Sequence, residues 1–162
     1  MTKKESELDN LKKEYKKIQK EYDLPSFEKL NEDFQIEKIA EVETDYLLRE
    51  IKRFIADKFS NYLRFVEAIL HPVNTPMFIF SVIKSIEIQE KDKLVDIYKK
   101  LAKNEVRLIE LDIDFSIKND AEFIKDSYKL WQGIKKDMLS IINKIKKNWD
   151  NKFEVNNKGY FG

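Results

Sequence analysis

The chain has 162 residues, the size of one domain, and its 42% apolar and 38% charged residues form a mixture too hydrophobic for disorder and too evenly charged for a membrane protein. The absence of cysteine removes disulfides, thiolate nucleophiles and Cys-based zinc or iron–sulfur sites, and suits a cytoplasmic location. A formal net charge of +1 conceals basic ends and an acidic centre: residues 1–22 carry seven lysines against five acids, residues 129–162 eight against three, and the stretch between them 16 basic residues against 22 acidic ones.

Three glycines and three prolines leave few interruptions, so residues 1–162 are expected to fold as a single all-α domain, a bundle of about five to six helices. Leu8, Leu11, Tyr15, Ile18 and Tyr22 recur at alternating steps of three and four, which predicts a helix over 3–22 with a narrow seam. Two heptads are too few for an independent coiled coil, so the seam is expected to pack within the chain. A protruding helix at 1–22, or an oligomer formed through helix 3–22, is the alternative. Ser26 is placed to cap a short helix bearing Phe27, Leu30 and Phe34.

A third helix is expected from about 37 to 70, stopped by Pro72, with Leu48, Ile51, Ile55, Phe59 and Val66 among apolar residues that cover half its circumference. Thr75 as cap and Pro76 at the first helical position predict a short helix through Ile86. A fifth, about 91–110, would bury Leu94, Ile97, Tyr98, Leu101, Leu108 and Ile109. The sixth, about 120–149, projects a broad stripe from Phe123 to Trp149. With roughly 30 residues each, helices 37–70 and 120–149 would span about 45 Å and form the main axis of the bundle. Residues 150–162 are expected to be a non-helical tail whose Phe153, Tyr160 and Phe161 either fold back or bind a partner.

Between helices five and six, "LDIDFSIKNDAEF" (residues 111–123) resembles the start of a calcium loop: counting Asp112 as the first ligand, Asp114 and Ser116 fall on the third and fifth. The sixth position, however, needs a glycine and has Ile117, and the twelfth needs a bidentate Glu and has Phe123. The alternation of Leu111, Ile113, Phe115 and Ile117 with polar residues predicts instead an extended connector pressed on the core, with Asn119 or Asp120 capping helix six.

Catalytic patterns are missing elsewhere too. His71 is the only histidine and has no cysteine to partner it, the three glycines are isolated, and Glu87 with Glu90 stands alone where all-helical nucleotide pyrophosphatases pair two such motifs on facing helices, so that an enzyme with a carboxylate-bound magnesium site is only a reserve reading. No metal and no cofactor is expected, and no enzyme. The run "MFIFSVI" is far short of the roughly 20 residues that span a bilayer, and "MTKKESELDN" lacks the apolar core of a signal peptide, so no membrane association is expected.

Three sets of charged residues remain as candidates. Lys58 and Glu105 interrupt apolar faces and would be stabilised by pairing across the bundle, unless each reaches water alone. Arg49, Arg53 and Arg64 are three of only four arginines and lie on one strip with His71 at its end. Arg53 and Arg64 are about 16 Å apart by helical rise, suited to an extended anionic ligand. Local ion pairs of Arg49 with Asp45, Arg53 with Asp57 and Arg64 with Glu67 are the competing explanation. Lys125, Lys129, Lys136 and Lys147 form a second basic strip, opposite the aromatic stripe of their helix. A core and a surface without catalytic chemistry lead to one expectation, a protein-protein interaction or scaffold module bound to a protein partner. The alternative is a nucleic-acid-binding accessory protein that uses its basic helix faces.

Overall fold

The computed structural model describes the backbone of residues 3–158 and the side chains of residues 5–150. Every regular element among them is helical: α1 (Lys3–Tyr22), α2 (Phe27–Phe34), a 3-10 turn (Ile36–Glu41), α3 (Leu47–Leu70), α4 (Met77–Ile83), α5 (Ile88–Ile113) and α6 (Ile117–Lys158). The chain is all-α, as its composition predicts. Its residues group into two compact units, one made of the chain up to Asn61 with Lys103–Trp131, the other of Tyr62–Ala102 with the chain from Gln132 onward. Helices α3, α5 and α6 each supply residues to both.

In the first unit, α1 packs on α2 and on the 3-10 turn. Two residues of its seam, Leu11 and Tyr15, are buried there, so the helix is anchored at its centre and those positions are spent within the chain. The Tyr15 hydroxyl donates to the Pro25 carbonyl at 2.5 Å, and its ring meets Phe27 edge-on at 5.5 Å. Burial pushes its phenol pKa up, so the hydroxyl remains a donor. Ser26 caps α2 as expected, accepting from the Lys29 amide. Trp131, Phe34 and Phe59 form an aromatic cluster with centroids 5.9–6.3 Å apart. Around it Ile51, Ile55, Phe123 and Ile124 are completely covered.

The second unit buries Val66, Ile69, Ile79, Val82, Leu94, Ile97, Leu101 and the α6 stripe from Ile134 to Ile145. Its polar ties are the Lys144–Glu90 ion pair, Asn148 donating to the Ser85 carbonyl at 2.8 Å, and Lys93 against Asp137 at 3.3 Å. Glu90 is buried, and the hydrogen bond from Lys144 holds its carboxyl below the usual range.

Several boundaries differ from expectation, each for a local reason. The helix expected over 37–70 is broken at Val42–Tyr46. Gln35 ends α2 in the left-handed region (φ 54°), and Asn31 bridges to Glu37, accepting from its backbone amide at 2.8 Å and donating to its carboxylate at 2.9 Å. Beyond the 3-10 turn, the Thr44 hydroxyl accepts the Tyr46 amide at 3.1 Å, a local bond that competes with helix continuation. Pro76, in an extended conformation, is the N-cap of α4 rather than its first residue, and α4 stops at Ile83.

The extended connector is not formed either. Leu111–Ile113 complete α5, Ser116 rather than Asn119 or Asp120 caps α6, and only Leu111 of the four alternating apolar residues is buried. At 26 residues α5 is a long helix in its own right, and α6 runs for 42, so helices three and six are not the only long elements. Neither Gly nor Pro stands between Gly133 and Gly159, and accordingly residues 150–158 are helical rather than a loose tail. Tyr160 and Phe161 lie outside the described residues.

Candidate functional site

Two neighbouring cavities open on the first unit, and Arg49 and Phe115 line both. One, of about 490 Å³, is walled by Ile18 and Tyr22 of α1, by Thr44–Arg49 at the start of α3, and by Phe115 and Ile117 around the α5–α6 loop. The other, of about 550 Å³, lies among Arg49, Lys52, Arg53 and Ala56 of α3 and Leu108, Leu111 and Asp112 of α5. The break before α3 creates the first cavity, because it lets Thr44, Asp45 and Tyr46 turn a corner into the wall.

Arg49 follows Tyr46 by three residues and lies over its ring at 5.3 Å; Phe115, from the loop, lies 4.2 Å from the same guanidinium. Such contacts contribute about 0.5–1 kcal/mol at exposed sites. Arg49 makes no hydrogen bond and no ion pair among the described residues, so the expected Asp45 partner is not engaged. Arg53 binds Glu50 at 2.9 Å instead of Asp57. The strip's other members, Arg64 and His71, belong to the second unit, where His71 meets Tyr98 edge-on at 6.0 Å and Arg64 has no ion pair among the described residues.

Lys52, between these two arginines, escaped the sequence reading. Only 5% exposed, it reaches Asp120 at 3.0 Å and Asp112 at 3.3 Å. The signal was present: Lys52 follows Leu48 by four and precedes Ile55 by three, inside the apolar arc of α3. Asp120, 1% exposed, does not cap α6: the helix begins at Ile117 behind Ser116, which leaves Asp120 buried in its first turn. Its Oδ1 faces Lys52 without hydrogen-bond alignment, so the contact is electrostatic.

The proposed Lys58–Glu105 pair does not form. Lys58 donates to the Asp33 backbone carbonyl and lies over the rings of Phe34 (5.6 Å) and Trp131 (5.5 Å), whereas Glu105 accepts from the Ser60 hydroxyl at 2.9 Å. A carbonyl and two ring faces satisfy the ammonium closer to its own position. Of the basic strip on α6, Lys125 and Lys129 border a third cavity of about 520 Å³ beside Asp23, Glu122 and Asp126. Arg107 binds Asp126 at 2.6 Å. Lys136 and Lys147 are exposed in the second unit.

Among the described residues no three His, Asp or Glu side chains converge to hold a metal ion, and no helix is long and apolar enough to cross a membrane. No protein-family model matches the chain, and no curated protein and no solved structure matches it either.

Proposed function

We propose that the chain is a non-enzymatic protein-binding module whose docking face is the C-terminal half of α5 with the loop that follows. One observation carries the reading. Val106, Ile109 and Ile113 recur at steps of three and four, share one face of α5, and are 67%, 55% and 83% exposed. Ile109 was expected in the core; the helix turns it outward while Leu94, Ile97, Leu101 and Leu111 fill the inside. The helix is therefore apolar on two sides, and its own fold uses only one. Single exposed apolar residues are ordinary, but three on one helical face, followed by half-exposed Phe115 and Ile117, form a stripe onto which a partner helix packs.

A nucleic-acid role has less behind it. Lys125 and Lys129 share their cavity with three carboxylates, so a phosphate backbone laid there would meet both signs of charge.

The test compares the parent with Ile109→Ser plus Ile113→Ser, both shown to be helical by circular dichroism, as baits for soluble proteins of the source cells. Loss of the same stoichiometric partner from the double variant supports the reading. An identical set of proteins on both baits, or nucleic acid alone on both, defeats it.

A further inference from the structure

We infer that the partner helix is α5 of a second copy of this chain, packed antiparallel on the exposed stripe as a weak two-fold dimer. The inference rests on the protein-binding reading and adds the identity of what is bound. One flank of the stripe is complementary to itself. Lys103 and Glu110 stand seven residues apart on the same side of Val106, Ile109 and Ile113, and both are exposed. Helical rise separates them by about 10 Å, too far to pair with each other. Neither makes an ion pair or a side-chain hydrogen bond among the described residues. A two-fold axis crossing the helix between Val106 and Ile109 reverses their order, so that Lys103 of each copy meets Glu110 of the other. The same operation sets Val106 against Ile109 twice and places Ile113 at both ends of the contact. All five residues belong to the first unit.

The other flank selects the direction. Glu105 and Asp112 border the stripe there, and each is engaged within its own chain: Glu105 accepts from the Ser60 hydroxyl at 2.9 Å, and Asp112 lies 3.3 Å from the Lys52 ammonium. A parallel pair would bring Glu110 against these two acids, whereas the antiparallel pair gives it a lysine. The antiparallel pair also sets Glu105 opposite Asp112, a repulsion that the Lys52 ammonium offsets in part. Three apolar side chains from each copy make a contact smaller than the about 800 Å² per partner of a standard interface, so the dimer is weak and depends on concentration. The contact is closed, because each copy uses its one stripe and none remains for a third.

Sedimentation velocity on the full chain over a concentration series tests this, with every variant shown to be helical by circular dichroism. The parent is expected to pass reversibly from monomer to dimer, and Ile109→Ser plus Ile113→Ser to stay monomeric. Lys103→Glu and Glu110→Lys should each weaken self-association roughly tenfold, since either one puts like charges at both crossings. An equimolar mixture of these two variants should recover the dimer, because each crossing then joins a lysine to a glutamate. A role of either side chain in folding alone would not produce that recovery. A parent that is monomeric at every concentration, a dimer that the double serine variant leaves intact, or a mixture that associates no better than its components overturns the inference. If the parent is monomeric and yet the double serine variant loses a stoichiometric protein from the source cells, the protein-binding reading survives with a different occupant. Neither a dimer nor such a protein removes both.

Discussion

The ammonium of Lys52 lies 3.0 Å from the carboxylate of Asp120, with both side chains almost wholly out of water. Breaking a buried pair leaves an uncompensated charge, so Lys52→Met is expected to destabilise the fold by about 3–5 kcal/mol in urea denaturation. Adding Asp120→Leu should recover a large part of that loss. Asp112, the second partner at 3.3 Å, has a side chain 68% exposed, and Asp112→Ala should cost less than about 1 kcal/mol. Equal losses for Lys52→Met and Asp112→Ala would show that Asp120 is not the main counter-ion.

Glu90 and Lys144 predict a stability window in pH. The folded-state pKa of Glu90 is depressed below its ordinary 4.5, chiefly by the hydrogen bond from Lys144, so its contribution is complete above 4.5 and lost as pH falls through the lower folded value. That of Lys144 is raised above 10.5 by the same bond, so its contribution is complete below 10.5 and lost as pH rises through the folded value. Glu90→Gln should therefore lower the urea midpoint at pH 7, with the difference from the parent shrinking toward pH 3. A difference that stayed constant across that range would show that the pair's charge contributes nothing.

Tyr15 separates a hydrogen bond from the ring that carries it. Tyr15→Phe removes the donor to Pro25 and keeps the contact with Phe27, for an expected loss of about 1 kcal/mol. Tyr15→Ala also empties a fully buried site and should cost about 3–5 kcal/mol. Comparable losses for the two would place the stabilisation in the hydroxyl.

Gly133 interrupts the middle of α6, and a methyl group added there meets no atom within 4 Å. Its conformational freedom only weakens the helix, so Gly133→Ala is expected to stabilise by about 0.5–1 kcal/mol, seen as a higher melting temperature. A lower one would reveal a requirement for the glycine that the packing does not explain.

The helical class, the first two helices and most of the core were legible because period and capping are local properties: Ser26 caps α2, and the stripe from Phe123 to Ile145 is buried. The site was legible only in part. Arg49 and Arg53 stood out by the rarity of arginine, but their partners did not follow from spacing, since rings at Phe115 and Tyr46 hold one and Glu50 the other. Lys52 was hidden because a lysine in an apolar arc reads as one that snorkels, and Asp120 because a carboxylate near a helix start reads as a cap. Both misreadings have one physical root: the partner lies 68 positions away in the chain, and no local pattern carries it. Ile113, Phe115 and Ile117 show the converse, an alternation that would suit a strand but falls where one helix ends and the next begins.

The interruption between the 3-10 turn and α3 sets helical continuity against concavity. A smooth helix through Val42–Tyr46 would wind Thr44, Asp45 and Tyr46 around a convex cylinder, whereas the corner gathers them along one wall. Substitutions that favour the helix there, such as Val42→Ala with Thr44→Ala, would raise helical content while filling in the hollow beside Arg49. In this protein a gain of regular structure at one short segment is a loss of shape, and selection for thermostability alone would be expected to close the recess first.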